Sequence, residues 1–114
     1  MPKTTSTNHR NKIQLISQCP MTHTFNLLGN RWRPIILWKL IDGLQTTAEL
    51  HRAIPIITRK MLYQDLKALI THGLVTKSAS VSRKSIPSYH PTPLGKSLKS
   101  VLSAALKWAE QQQA

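Results

Sequence analysis

The chain has 114 residues, enough for one domain with a modest core, and its 40% apolar content includes no run near the ~20 residues that span a bilayer. Sixteen Lys and Arg against four Asp and Glu give a formal net charge of +12 and a pI near 10.6. So basic a domain repels itself, which a polyanion would relieve, and its single cysteine, Cys19, excludes an internal disulfide framework and a Cys-rich zinc site.

Residues 1–12, "MPKTTSTNHRNK", have no apolar h-region, so they are not a secretory signal. They are expected to form a disordered basic tail, with the folded domain over residues 13–114. "CPMTHTFNLLG" predicts a short helix. Pro20 suits the first helical position, Gly29 suits the stop, and Met21, Phe25 and Leu28 recur at helical spacing. "NRWRPIILWKLIDG" predicts the central buried helix, apolar nearly all round from Ile35 to Ile41, with Pro34 in its first turn and Gly43 as its stop. Arg31 and Arg33 precede it, free either to reach an anion or to act as surface cations.

"QTTAELHRAIP" gives a short helix from Thr47 to about Ala53, capped by Thr46 or Thr47 and ended by Pro55. After the turn "PIIT", Thr58 caps a second helix over residues 58–72, so the pair forms a helix-turn-helix candidate. "LVTKSASV" and "SIPSYHPT" read as a hairpin whose tip, "SRKS", is basic, with Pro87 confining the second strand to an edge. Thr92 then caps a final helix that starts at Pro93 and runs through "PLGKSLKSVLSAALKWAEQQQ".

On a helical wheel, Leu62, Leu66 and Leu69 fall within about 60° of one another. Lys60, Tyr63, Gln64, Lys67 and Thr71 fall on the opposite side, while Asp65, the one acid of this helix, does not. Cations at a helix N-terminus, here Arg59 and Lys60, oppose the macrodipole. Their position makes sense if they point at DNA phosphates and base edges, because a recognition helix enters the major groove N-terminal end first. Lys and Arg can pair with guanine and Gln with adenine.

The final helix carries Leu94, Leu98, Val101, Leu102, Ala105, Leu106, Trp108 and Ala109 over an arc of roughly 160°, where about 100° serves to pack on a small core. The excess predicts a second copy of the chain as partner, through Val101, Leu102, Ala105, Leu106 and Trp108. Cys19, before Pro20 at a helix start, is a candidate reactive thiolate; a buried inert thiol is the alternative.

From Cys19 to Trp108 the sequence resembles the HxlR-type transcriptional regulators, a MarR-like group of winged helix-turn-helix proteins. The resemblance rests on "CP" at 19–20, "LLGNRWRPIILWKL" at 27–40, "AELHRAIPIITRKMLYQDLKALITHGLV" at 48–75 and "YHPTPLGKSL" at 89–98. It implies a bacterial or archaeal homodimer joined by its terminal helices, each subunit offering a recognition helix and a wing. Some members sense oxidants or electrophiles through a cysteine in the place of Cys19. The sequence departs from the family at Asn30, at His90 and Pro91, and in "SVSRKSIPSY", which replaces the usual proline-rich wing.

The expected protein is therefore mainly α with a small β-hairpin, a cytoplasmic, sequence-specific transcriptional regulator binding a pseudo-palindromic double-stranded DNA operator as a homodimer. Thr58 caps the recognition helix; Arg59, Lys60, Tyr63, Gln64 and Lys67 contact DNA, with Arg83 and Lys84 on the wing near 81–86. A nonspecific architectural DNA- or RNA-binding protein is the alternative, and it predicts equal affinity for unrelated duplexes. No enzyme is expected: the acids Asp42, Glu49, Asp65 and Glu110 lie far apart, and the five histidines lack metal-ligand spacing. No metal, cofactor or membrane partner is expected, since the cations do not gather on one amphipathic helix. The sequence does not specify a small-molecule effector.

Overall fold

The computed structural model describes residues 19–78 and 86–113. The expected tail, residues 1–12, and the hairpin tip bearing Arg83 and Lys84 lie outside the described residues. In chain order the elements are α1 (Pro20–Leu27), α2 (Arg33–Ile41), α3 (Thr47–Ala53), α4 (Arg59–Thr71), β1 (Val75–Ser78), β2 (Ser88–Pro91), α5 (Pro93–Ser97) and α6 (Lys99–Gln113). This is the mainly helical architecture with one hairpin that the sequence predicts.

The helix starts follow local chemistry. Pro20, Pro34 and Pro93 sit in the first two positions of α1, α2 and α5, where a missing N–H costs nothing. Thr46 and Glu49 form a reciprocal box on α3. The Thr46 hydroxyl accepts from the Glu49 amide at 3.2 Å, and the Glu49 carboxylate accepts from the amides of Thr46 at 3.0 Å and Gln45 at 2.8 Å. Asn30 also contributes, its Oδ1 accepting from the Trp32 amide at 3.1 Å just before α2. α2 and α4 run out into Gly43 and Gly73, whose φ values of 114° and 77° lie in the region that glycine alone enters freely.

α2 is the central helix. It touches α3, α4, α5, α6 and β2 and drives Ile36, Leu37 and Leu40 into the core. Leu50 and Ile54 meet it from α3 and its end, Leu62, Leu66 and Leu69 from α4, and Leu74, Val75 and Tyr89 from the hairpin. β1 and β2 pair antiparallel from Val75 opposite Pro91 to Ser78 opposite Ser88. The Tyr89 amide donates to the Gln45 carbonyl at 2.7 Å, which ties the hairpin to the loop between α2 and α3.

One expectation needs correction. The final helix is not continuous from Pro93: it breaks at Leu98 into α5 and α6. Gly95 is buried with its backbone directly against the Leu74 carbonyl. Thr92 fastens the same junction: its hydroxyl donates to the Gly73 carbonyl at 2.7 Å and accepts from the Gly95 amide at 3.0 Å. α5 is thereby held on the end of α4 and the hairpin, and the chain has to turn before α6 can lie along α2.

In α1 the apolar positions do not all face the core. Met21 and Phe25 are each 65% exposed, and Leu28 alone of the three packs inward.

Candidate nucleic-acid interface

α3 and α4, joined by residues 54–58, form the helix-turn-helix. The Thr58 hydroxyl accepts from the Met61 amide at 3.1 Å and so fixes where α4 begins. His51 reaches from α3 across the turn, its Nε2 lying 2.9 Å from the Ile57 carbonyl oxygen. Ile57 is buried, so this contact and the core together set the relation of the two helices.

With Leu62, Leu66 and Leu69 inward, Arg59, Lys60, Tyr63, Gln64 and Lys67 are all exposed. The structure thus brings these five onto the outer side of α4. Asp65 lies elsewhere. Its side chain is 7% exposed, and its Oδ1 is 3.6 Å from Nε of Arg33, itself 21% exposed. Burial pushes the Asp65 carboxyl above its ordinary range, and the Arg33 guanidinium pulls it part of the way back. Of the two roles the sequence left open for Arg33, reaching an anion or acting as a surface cation, the fold favours the first with an internal anion: Asp65 and the Leu27 carbonyl, 3.5 Å from Nη1, engage it from inside. The pair clears the outer side of α4 of its one carboxylate.

This arrangement has a pH signature. A carboxyl whose folded pKa exceeds its unfolded value binds its proton more tightly in the fold, so its contribution is most favourable below the unfolded value near 3.8 and is lost as pH rises through the folded value. Removing Arg33 should move the folded value higher still. Arg33→Leu is therefore expected to be less stable than the parent by about 2 kcal/mol at pH 7. That deficit should shrink as pH falls toward the ordinary carboxyl range, read by urea unfolding at each pH. A deficit independent of pH would show that Arg33 acts only through packing.

Outside α4, the wing contributes Lys77 from β1, its Nζ 5.8 Å from the centre of the Tyr89 ring. Between α3 and α4 lies an open cavity of about 430 Å³, lined by Thr47, Ala48, His51, Arg52, Arg59, Leu62 and Tyr63. Ile56, in the turn, is 79% exposed. Sequence reading missed Arg52, Ile56 and Lys77. Arg52 sits seven positions before Arg59, and only the turn brings the two to one cavity. Ile56 falls in a stretch that reads simply as a turn, and Lys77 looks like any strand lysine.

The expected dimer residues separate into two kinds. Val101, Ala105, Leu106 and Trp108 are exposed, Trp108 by 65%, whereas Leu102 is only 8% exposed and belongs to the chain's own core. Leu102 also floors an apolar depression of about 290 Å³, with Pro34, Ile35, Trp38, Ala105 and Leu106 around it. Cys19 precedes α1 partly exposed, and hydrogen bonds from the Thr22 hydroxyl and amide hold its thiol below the ordinary range. Neither Arg31 nor Arg33 contributes to that shift. Arg31 instead stacks on Trp32, 5.9 Å from the ring centre.

Residues 27–114 match the HxlR-like helix-turn-helix family. The chain belongs to that family. Among its relatives, YkvN, an uncharacterised HTH-type transcriptional regulator of Bacillus subtilis strain 168, is 37% identical over 100 residues, spanning 84% of this chain and 85% of YkvN. The reduced form of the transcriptional regulator YodB from B. subtilis has a similar structure. Its TM-score is 0.72 at 33% identity, covering 82% of this chain and 92% of that one. The oxidised redox regulator HypR superposes with a TM-score of 0.76 at 28% identity, over 82% of this chain and 96% of its own. The protein is thus a winged helix-turn-helix transcriptional regulator, of a family that is not one of enzymes. No helix among the described residues is long and apolar enough to cross a membrane.

Proposed function

We propose that the protein is a dimeric, sequence-specific DNA-binding regulator that docks α4 in the major groove and lays its wing against the adjacent backbone. The observation that carries this reading is the outer side of α4. It presents Arg59, Lys60, Tyr63, Gln64 and Lys67, while its one carboxylate is turned inward onto Arg33. A merely solvated helix has no need to bury its acid and expose only cations, a phenol and an amide. Gln64 is assigned to an adenine edge and Lys67 to phosphate. Arg83 and Lys84 are assigned to the backbone beside the wing.

Fragments selected from genomic DNA with the purified protein give the test. Gln64→Ala should weaken the selected duplex by about 1–3 kcal/mol and relax preference at one position. Lys67→Ala should weaken selected and random duplexes alike and lower the salt slope by about one unit per site. Equal losses on both duplexes for both variants would leave a nonspecific architectural protein.

The second copy is assigned to the apolar surface of α1 and α6. Met21 and Phe25 of α1 and Val101, Ala105, Leu106 and Trp108 of α6 are exposed, and Ala105 and Leu106 line the depression floored by Leu102. Cys19 lies next to this surface in sequence, and its lowered pKa favours the thiolate, the form that reacts with oxidants and electrophiles. YodB is known in quinone-bound and diamide-treated forms, and HypR in reduced and oxidised forms. We assign Cys19 a redox- or electrophile-sensing role. Its alkylation rate should reach half-maximum below the free-thiol pKa of about 8.5, and Thr22→Val should move that midpoint upward. A midpoint at or above the free value, unmoved by the substitution, would leave Cys19 a structural residue.

A further inference from the structure

We propose that the cavity between α3 and α4 seats a backbone phosphate of the bound duplex, held by Arg52 and Arg59. The inference rests on the DNA-binding reading and extends it to a residue of the first helix.

The two arginines come from different helices, yet line one cavity of about 430 Å³. Both are exposed, and among the described residues neither makes an ion pair within 4 Å. No carboxylate lines the cavity. Glu49, one turn before Arg52, is the acid that Arg52 influences, but its carboxylate is already engaged by the Gln45 and Thr46 amides. Two guanidinium groups at one concavity repel each other, Glu49 offsetting only part of the charge of Arg52 from beyond ion-pair distance, and a phosphate between them would turn that repulsion into charge-assisted hydrogen bonds. A guanidinium fork matches two phosphate oxygens.

The position favours a phosphate of DNA over a free anion. Arg59 and Tyr63 belong both to this cavity and to the outer side of α4, so the cavity would fill as α4 docks. When a recognition helix lies in the major groove, the helix before it crosses the backbone, and that helix here is α3. Ala48 and Leu62 give the cavity an apolar wall suited to the deoxyribose next to the phosphate, and Thr47 and Tyr63 add hydroxyl-bearing side chains. The contact of His51 with the Ile57 carbonyl ties together the two helices that carry the arginines. On this assignment Arg59 grips the backbone, and base reading is left to residues further along α4.

The experiment uses the full chain, a selected genomic duplex and a random duplex of equal length, with fluorescence anisotropy read across a range of KCl concentrations. Arg52→Ala should weaken both duplexes about tenfold and lower the salt slope by close to one unit per site. Replacing single phosphates by uncharged methylphosphonates in the selected duplex should reveal one position per half-site that weakens the parent by a similar factor. The same replacement should cost Arg52→Ala clearly less, because only Arg59 is then left on that phosphate, and Arg52→Lys should recover part of the loss. Far-UV circular dichroism of each variant should match the parent, since Arg52 is exposed. Unchanged affinity and slope in Arg52→Ala, while Lys67→Ala loses both, would overturn the phosphate seat and leave the DNA reading standing. Saturable binding of benzoate that needs Arg52, together with unchanged duplex affinity in Arg52→Ala, would assign the cavity to a small anion and overturn the proposal. A parent chain that binds no duplex would overturn both.

Discussion

Gly95→Ala is expected to destabilise the fold by about 3 kcal/mol, even though alanine is the better helix former by about 1 kcal/mol. The added Cβ would collide with the carbonyl oxygen of Leu74, which is backbone and so cannot rotate away. Relief requires α5 to lift from the end of α4. That would stretch the bonds from Thr92 to Gly73 and from Gly95 to Thr92 and disturb Leu74, which is fully buried. Urea unfolding followed by circular dichroism measures the loss. Gly43→Ala is the control: its added Cβ meets open space, and only the positive φ is strained, for about 1 kcal/mol. Equal losses in the two variants would mean that the contact between α5 and Leu74 is not a tight one.

The second large effect concerns the dimer. Leu106→Asp with Trp108→Asp should give a folded monomer whose operator affinity falls by 10²–10⁴. Separating the two recognition helices removes the high effective concentration of the second half-site. Both residues are exposed in the single chain, at 47% and 65%, so charge there leaves the core intact. Deleting residues 100–114 would be a poor substitute, since it removes Leu102 from the core and would unfold the chain for an unrelated reason. Sedimentation gives the oligomeric state and anisotropy the affinity. A double variant that still sediments as a dimer would move the interface off this side of α6.

Much of the fold could be read locally. The cap of α3, which the sequence left between Thr46 and Thr47 and the structure gives to Thr46, the Thr58 cap, the stop at Gly43 and the inward leucines of α4 depend on residues within a few positions of one another. What escaped depends on contacts between distant segments. Arg33 and Asp65 are 32 positions apart, and no periodicity marks either as the other's partner. The break at Leu98 follows from a glycine pressed on the backbone of Leu74, 21 positions earlier, where the sequence offers an uninterrupted helical pattern. Apolar spacing equally failed to say which face would be covered: Met21 and Phe25 have the pattern of core residues and lie open, and Leu102 has the pattern of an interface residue and lies buried. The outer side of α4 was legible because it needs only the helix and its inward leucines. The cavity shared by Arg52 and Arg59 needs the turn between two helices.

Hydroxyl-radical footprinting of a selected genomic duplex, with the parent chain and with the Leu106→Asp, Trp108→Asp variant, tests the central claim most directly. A symmetric dimer places its two recognition helices about 34 Å apart, so the parent should protect two half-sites centred one helical turn apart, or a multiple of it, related by a two-fold axis. The variant should protect a single half-site, and only at much higher concentration. Protection of one asymmetric site by the parent, at the concentration where the variant protects the same site, would contradict a dimeric regulator reading DNA through α4.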